Sequence, residues 1–349
     1  MIPSQAYFDV RTLTPQLKGA EPRCPVTGCT TAMDRTPSSW GLLPLCPVHR
    51  IRIHAGSGTF VYYHGQESSA KRAAALRNIV FEPDFFEAYF LGNAQKAESH
   101  RICHETSEDA LTWNVFSRLV DTDVLTRLAS DLTNTSLRNR LELYLWGLRV
   151  DLQQRSAPTT FAPLAAAREV FEPDVVQYRT EPDIMLYVPG QLLVLVEAKL
   201  TSGNPIAKES GDVEVVGAKP KSREGILRRY SPAALPNAAV ATNPAAHPFY
   251  SQLYRNLVFA IYMAHQLDVP WAVMNLVSDG HRGRQGRQAE YADPTGFMQS
   301  LIPEESRSRF RAYSWERLYG DYVATTTALT DLAEYMANKS AYCAKVFAI

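Results

Sequence analysis

Apolar positions follow two different periods along this chain, and the change of period predicts where a helix gives way to a strand. Residues 249–267, FYSQLYRNLVFAIYMAHQL, place apolar side chains three and four positions apart, which predicts a helix with Pro248 as its first residue. The segment WAVMNLVS that follows is almost continuously apolar and predicts a buried strand. The alternation of helical and strand patterns places the chain in the α/β class.

Other elements are predicted upstream of this helix. A helix opens at 106–109, where a Ser or Thr cap and two early acids precede an apolar stripe, and another is predicted over 137–150, LRNRLELYLWGLRV. Residues 68–94 also have helical spacing, whereas 51–64 alternate as a hairpin does. Residues 201–247 are rich in Pro, Gly, Ala and basic side chains, and an interruption of that length is usually functional or mobile.

Residues 181–200, EPDIMLYVPGQLLVLVEAKL, are two apolar strands around a Pro-Gly turn, with charges at the outer ends. If 189–191 form a three-residue connection, the strand pairing brings Asp183 opposite Glu197. Residues two apart in a strand share a face, so Lys199 lies on the face of Glu197. A two-residue turn would separate the acids to opposite faces. The three-residue connection is therefore a prediction on which a site depends.

Two carboxylates held that close repel each other unless a cation lies between them. Mg²⁺, or Mn²⁺ in its place, takes oxygen ligands and is commonly held by one or two carboxylates, and the carbonyl of Ala198 could add a ligand. Lys199 could orient or deprotonate a water there, or stabilise charge on a scissile phosphate. The alternative is a surface ion pair of Lys199 with Glu197 or Glu181. The strand is apolar up to Glu197, which favours the metal site.

The order of these motifs, PD at 182–183, a short hairpin, then EAK at 197–199, resembles the signature of the PD-(D/E)xK nuclease superfamily. The resemblance implies a restriction-endonuclease-like fold, a mixed central sheet flanked by helices, with its core in residues 105–290. It also implies that the two acids bind Mg²⁺ and that the lysine assists the attack of water on a phosphodiester. A deoxyribonuclease in a restriction or defence setting is the expected function.

The superfamily often adds an acid from a preceding helix and a glutamine from the helix after the second motif strand. Glu108 is favoured for the acid because it lies in line with the apolar stripe of its helix, and Glu142 is the competitor. A simpler role for Glu108 is to favour the helix dipole. Gln252 matches the glutamine, with Asn256 one turn later on the same face. The alternative for Gln252 is the ordinary polar side of an amphipathic helix.

A cysteine and histidine cluster in residues 1–66 predicts a small zinc-binding module. Two close ligand pairs, with four and two residues between their members, are joined by a sixteen-residue loop, as a tetrahedral zinc site requires. Four such ligands without a spare acid indicate a structural site rather than a catalytic one. Three buried thiols and a surface histidine are the alternative, and His54 could replace the last ligand. The predicted ligands are Cys24, Cys29, Cys46 and His49.

Two basic segments could contact nucleic acid. KPKSREGILRR at 219–229 has five basic side chains against one acid, and the glycine-spaced loop at 281–287 adds three arginines and a histidine. Cationic side chains bind phosphates without reading sequence, which predicts DNA as the partner and leaves RNA as an alternative. A pair of solvated mobile loops is the other interpretation. The predicted contacts are Lys219, Lys221, Arg223, Arg228, Arg229, Arg282, Arg284 and Arg287.

The composition narrows the classes of protein to which the chain can belong but does not identify its function. Acids and bases balance at 36 each over 349 residues, so no net charge attracts nucleic acid or membranes. Five cysteines, no signal sequence and no bilayer-length apolar run predict a cytoplasmic protein. A helical connector is expected at 67–104 and a mainly helical extension of the core at 291–349. The alternative function is a catalytically silent zinc-containing nucleic-acid-binding or scaffold protein, and the nuclease could act as a homodimer.

Overall fold

The structure is a computed structural model. It describes residues 13, 21–38, 41–54, 59–62, 68–91, 100–155, 157–176, 178–209, 217–231, 235, 248–282, 289–343 and 347–349, and the fold below is that of these residues.

The chain divides into two compact units. The first combines residues 1–118 with 319–349, and the second is residues 119–318. The first unit therefore contains the predicted zinc module and connector together with both the start of the predicted core and the end of the chain. The segment boundaries predicted from sequence differ from these unit boundaries and stay predictions.

The strands form two sheets, one in each unit. Four strands make an antiparallel sheet in the first unit, in chain order. Six strands make a mixed sheet in the second unit, in the order β10-β9-β8-β7-β5-β6, with β8, β9 and β10 parallel. The strands are β1 (Asp34–Ser38), β2 (Gly41–Leu45), β3 (Ile51–His54), β4 (Thr59–Tyr62), β5 (Glu142–Leu145), β6 (Leu148–Val150), β7 (Ile184–Val188), β8 (Leu192–Ala198), β9 (Trp271–Val277) and β10 (Phe310–Ser314).

Helices accompany both sheets. The described α-helices are α1 (Ser68–Leu76), α2 (Pro83–Leu91), α3 (Glu108–Leu119), α4 (Val124–Thr133), α5 (Ala162–Phe171), α6 (Arg223–Arg229), α7 (Ser251–Leu267), α8 (Asp279–Arg282), α9 (Thr295–Leu301), α10 (Trp315–Leu318) and α11 (Thr330–Cys343). The hairpin predicted at 51–64 is confirmed as β3 and β4, and the helix predicted from 106–109 is confirmed as α3. The helical pattern predicted at 68–94 is described as far as residue 91, and over 68–91 it forms two helices, the second of which begins at Pro83.

In the second unit, α7 packs on β8 and β9 and contacts α5. Leu193 and Leu195 of β8 and Val273 of β9 belong to one buried apolar cluster with Leu253 and Leu257 of α7. Burying these side chains stabilises the arrangement by roughly 1.5–3 kcal/mol each. The helix thus covers one face of the mixed sheet, and polar side chains on that face lie beneath it.

The helix predicted over 137–150 is wrong, because this segment forms β5 and β6. Trp146 and Gly147 connect the two strands with φ of 51° and 81°, a left-handed pair that suits a two-residue hairpin and interrupts any α-helix. The leucines of LELYL at 141–145 alternate with period two, which the helical interpretation overlooked. The main-chain N–H of Trp146 donates to the carbonyl of Asp183 at 3.1 Å, so this turn anchors the start of β7.

The helix predicted at 249–267 is confirmed as α7, but Pro248 is not its first residue. The helix begins at Ser251. The carbonyl of Phe249 accepts a hydrogen bond from Ala207 at 2.8 Å, and Tyr250 forms a β-bridge with Ile206. This pairing holds the backbone extended until the helix starts. The buried strand predicted after the helix is confirmed as β9.

Candidate active site

The hairpin of β7 and β8 has the register that the sequence predicted. Val188 pairs with Leu192 beside the turn, and the pairing continues to Ile184 with Val196. Residues 189–191 therefore form a three-residue connection, which confirms the predicted turn length. Extended by one position at its open end, the same register sets the residue before Ile184 opposite the residue after Val196.

Asp183 and Glu197 occupy these two positions. Met185 and Leu195, two positions along each strand, belong to the apolar cluster beneath α7, and the pleat directs the two acids to the same face. Oδ2 of Asp183 accepts a hydrogen bond from the main-chain N–H of Ala198 at 2.9 Å. The carboxylate is therefore tied to the end of β8 next to Glu197.

Glu197 is fully buried, with 0% of its surface exposed. One carboxylate oxygen, Oε1, accepts a hydrogen bond from Nζ of Lys199, which is itself buried. The other, Oε2, accepts from Nδ2 of Asn256 on α7 at 2.8 Å. A buried carboxylate is tolerated only when it is paired and hydrogen-bonded, and these two donors meet that requirement.

Two hydrogen bonds of its main-chain groups hold Lys199 in place. Its N–H donates to the carbonyl of Leu276 in β9 at 2.8 Å, and its carbonyl accepts from Nε1 of Trp315 at 3.1 Å. Glu197 and Lys199 do form the ion pair that the sequence offered as an alternative, but the pair is buried rather than at the surface. The ion pair is thus shielded from solvent at the open end of the hairpin, where Asp183 also lies.

The donor set fits a hard divalent cation. Asp183 and Glu197 supply carboxylate oxygens from opposed strand positions, and carboxylate oxygens are the ligands that Mg²⁺ prefers. Lys199 brings a single positive charge to these two negative ones, so a net negative charge remains to attract a cation. The residues present are thus suited to the Mg²⁺ that the sequence predicted.

Asn256 and Gln252 lie on one face of α7, a turn apart. Asn256 is the residue that hydrogen-bonds Glu197, with 1% of its surface exposed. Gln252 is half-buried at the first turn of the helix, and its catalytic role stays a prediction. From the sequence, Asn256 was noticed only as a neighbour of Gln252. The signal that could have found it is a polar residue surrounded by apolar ones in a helix that must cover a sheet.

The two candidates for the upstream acid lie in different places. Glu108 is the first residue of α3 and belongs to the first unit, whereas Asp183 and Glu197 belong to the second, so its catalytic role stays a prediction. Glu142 pairs opposite Tyr187, near the closed end of the hairpin. Its carboxylate accepts from the hydroxyl of Tyr144 at 2.6 Å and lies 3.3 Å from Arg149. Glu142 is therefore ruled out as a partner of Asp183.

Asn275 is a polar residue that the sequence analysis missed. In the parallel pairing of β8 with β9 it is the partner of Glu197, so both side chains lie on the same face. It is fully buried, and neither Nδ2 nor Oδ1 has a hydrogen-bond partner among the described residues. The available signal was an asparagine inside the otherwise apolar WAVMNLVS.

The cysteine and histidine cluster is assembled in the first unit. The four predicted ligand atoms lie within 4.8 Å of one another, and Nδ1 of His49 is 3.2 Å from Sγ of Cys24 and 3.5 Å from Sγ of Cys46. Zn–S bonds of about 2.3 Å place tetrahedral ligands roughly 3.8 Å apart, so this Cys₃His group is compatible with a structural zinc site. His54 is not part of the group and lies beside His104 instead.

The electrostatics of the cluster suit a neutral imidazole. Burial lowers the pKa of His49, and the charge of Arg77 lowers it further. Arg77 also donates to the carbonyl of His49 at 2.7 Å and of Arg50 at 3.2 Å, which braces the knuckle. Burial raises the pKa of the Cys24 thiol, and neighbouring Cys46 adds to the rise. Metal binding would therefore have to displace a proton from Cys24.

The predicted nucleic-acid contacts have different surroundings. Lys221 and Arg228 are exposed, while the guanidinium of Arg223 lies 5.8 Å from the ring centre of Phe249. Arg229 binds both carboxylate oxygens of Asp174, at 2.5 and 2.9 Å. The side chain of Arg282, and Arg284 and Arg287 entirely, lie outside the described residues.

Among the described residues of this set, Lys219 is the one whose pKa is lowered. Burial lowers its pKa to about 8, and Arg255 lowers it further, against the opposing charges of Glu172 and Glu181. A lysine that is easily deprotonated contacts phosphate in a pH-dependent way. Its role as a nucleic-acid contact stays a prediction.

The family described as restriction endonuclease associating with ARP matches residues 54–339, well over half of the chain. The chain belongs to this family. The match includes the hairpin, α7 and β9, but it begins after the last zinc-ligand candidate, His49. No curated protein and no solved structure matches the chain significantly. Within the described ranges, no helix has the length and apolar character to span a membrane.

Proposed function

We propose that this chain is a Mg²⁺-dependent endonuclease that hydrolyses phosphodiester bonds in DNA, as part of a restriction or defence system. The observation that carries the proposal is the pairing at the open end of the hairpin, where Asp183 faces Glu197 and Lys199 contacts Glu197. Membership of a restriction-endonuclease family supports the reaction class and the choice of DNA.

Asp183 and Glu197 would hold the divalent cation, which when bound supplies positive charge against a phosphodiester and lowers the pKa of water. Asp183 is kept in place by the N–H of Ala198, and Glu197 by Asn256. Lys199 holds its proton at Nζ beside Glu197, where it can orient water, exchange a proton with it, or stabilise charge that develops on phosphate oxygen. Glu197 and Lys199 are buried, and interactions between charges are stronger away from water.

The proposal is tested by digesting plasmid, linear, methylated and single-stranded DNA, and RNA, with Mg²⁺, with Mn²⁺ and with EDTA. We expect the protein to cut DNA only with a divalent cation, and Asp183→Asn to lose activity by about 100-fold or more, since it removes a ligand charge. Intact substrates under every condition would refute the nuclease. DNA binding without cleavage would instead favour the catalytically silent binding protein.

For the N-terminal cluster, we propose a structural zinc ion on Cys24, Cys29, Cys46 and His49. The four mutually close ligand atoms and the absence of an acid among them support a closed site. Metal analysis of protein purified without added zinc should find about one zinc per chain, and Cys24→Ser should lose it. Cys103→Ser is the matched control, because Cys103 is buried outside the group. Zinc-free wild-type protein with an intact fold would exclude the site.

A further inference from the structure

Asn275 lies among core residues, but its side chain is a polar amide of the kind that binding sites use. Its neighbours along β9, Met274 and Leu276, are buried and apolar, and Asn275 itself has 0% of its surface exposed. Neither the donor nor the acceptor of its amide finds a partner in the part of the chain that the structure describes. An unsatisfied buried amide destabilises a fold, so an apolar residue would suit this strand better.

Another buried asparagine shows what a structural role requires. The amide of Asn114 accepts from two main-chain N–H groups at 2.7 and 3.2 Å and donates to a carbonyl at 2.9 Å and to a tyrosine hydroxyl at 3.0 Å. Those bonds offset its burial. Asn275 makes no such bonds, and its presence in the fold therefore needs a different explanation.

The position of Asn275 supplies that explanation. It pairs with Glu197 across β8 and β9 and lies on the same face. Both oxygens of Glu197 already have donors, Lys199 and Asn256, so Glu197 does not need a third. The amide of Asn275 thus brings one donor and one acceptor that no described residue uses to the site of Asp183 and Glu197. Such groups suit a ligand that carries its own hydrogen-bonding atoms.

We propose that Asn275 is a further residue of the cation site, whose amide hydrogen-bonds the hydration water of a divalent cation held by Asp183 and Glu197. The inference rests on the proposed function. Mg²⁺ gives up its water reluctantly and keeps several water molecules in protein sites. Each retained water needs polar partners, and Asn275 provides both kinds beside Glu197.

The test compares Asn275→Leu with wild type in two measurements, thermal unfolding without metal and Mg²⁺ or Mn²⁺ binding by calorimetry. Leucine keeps the branching at Cγ and removes the amide. We expect the metal-free variant to unfold about 2–4 °C higher than wild type, because the unsatisfied amide is gone. We expect its cation affinity to fall by about tenfold or more, as losses of supporting groups around metals do. Saturating Mg²⁺ should narrow or reverse the difference in unfolding temperature.

Asn114→Leu is the control for the stability measurement and should unfold at a lower temperature than wild type. If metal-free Asn275→Leu is less stable than wild type, or binds Mg²⁺ and Mn²⁺ as tightly, the role of Asn275 is refuted. A wild-type protein that binds neither cation, or an Asp183→Asn variant that binds them unchanged, would overturn the proposed function and this inference together. Wild-type binding that Asp183→Asn weakens and Asn275→Leu does not would overturn this inference alone.

Discussion

Glu197 is the fully buried carboxylate of the candidate site. Lys199 and Asn256 each occupy one of its oxygens, and the register places Asp183 opposite. Removing one member of a buried charge pair leaves the other uncompensated, at a cost of about 3–5 kcal/mol. The residues that would perform the chemistry are thus also residues that the local fold depends on.

Lys199→Met tests the proposed catalytic role of Lys199. The side chain keeps its length and loses its charge and proton, so we expect DNA cleavage to fall by roughly 100- to 10,000-fold, as loss of a proton-transfer group does. Binding of uncut DNA should survive if circular dichroism shows a folded protein. Lys208→Met, at an exposed lysine of the same unit, should cut normally. Wild-type cleavage by Lys199→Met would rule out the assigned role.

Lys219 predicts a pH dependence of DNA binding. Its pKa of about 8 lies below the ordinary 10.5, chiefly through burial, so the side chain is mainly charged at pH 7 and mainly neutral at pH 9. If it contacts phosphate, affinity measured by fluorescence anisotropy without divalent metal should fall on the order of five- to tenfold between these pH values.

The matched variant for this measurement is Lys219→Arg, which keeps its charge at pH 9 because a guanidinium deprotonates above pH 12 or so. Its affinity should stay nearly constant with pH, and Lys219→Met should bind weakly at both values. The same fall with pH in wild type and in Lys219→Arg would show that Lys219 is not the titrating contact. The sign for stability is separate: a folded pKa below the unfolded one means that stability rises with pH between about 8 and 10.5.

At the scale of elements, the turn at 189–191 decides whether the two acids meet. The connection is tied to the preceding segment, since Oε1 of Gln191 accepts from the N–H groups of Arg138 and Asn139 at 2.8 and 3.0 Å. Asn139 in turn donates to the carbonyl of Pro189 at 2.7 Å. Both the length of the turn and its attachment therefore maintain the register.

Deleting Gly190 tests this control of register. A two-residue connection shifts the pairing by one and turns Asp183 and Glu197 to opposite faces, so cleavage and Mg²⁺ binding should both be lost. Gly190→Ala is the control: φ is 69°, but an added Cβ meets nothing within 4 Å. It should cost about 1–2 kcal/mol of unfolding free energy and leave activity unchanged. Full cleavage by the deletion variant would contradict the proposed site.

At the scale of the whole molecule, the first unit is built from both ends of the chain. Nζ of Lys339 donates to the carbonyl of Glu105 and lies 3.2 Å from its Oε1, and neither side chain is exposed. Arg118 and Asp331 form a second ion pair between the same segments, at 2.9 Å. Residues 319–349 are therefore part of the fold of the first unit rather than an appendage.

Lys339→Met should destabilise the full chain by about 3–5 kcal/mol, because Glu105 stays buried without its ammonium. Denaturant unfolding measures this loss. The double variant Glu105→Met with Lys339→Met should recover most of the stability, since both charges are then absent. If the single variant unfolds like wild type, the ion pair does not join the two ends of the unit.

Features that depend on neighbouring residues were predictable from the amino-acid sequence. Periodicity predicted α3, α7 and β9, and cysteine spacing predicted the ligand group. The register of β7 with β8 followed from the predicted three-residue connection at 189–191. The local pattern gave a wrong prediction over 137–150. It predicted a helix, whereas the left-handed backbone at Trp146 and Gly147 makes the segment a hairpin. Propensity along a short segment is a weak guide when pairing with another strand competes with it.

Contacts between residues that are distant in sequence depend on how the elements pack. Asn256 reaches Glu197 because α7 packs on β8. Asn275 lies beside Glu197 because β8 and β9 are neighbouring parallel strands. Glu108 belongs to the other unit. Parallel pairing and helix docking are set by burial of apolar area between segments far apart in sequence. Each segment shows that it has an apolar face, but neither segment alone shows which other segment will cover that face.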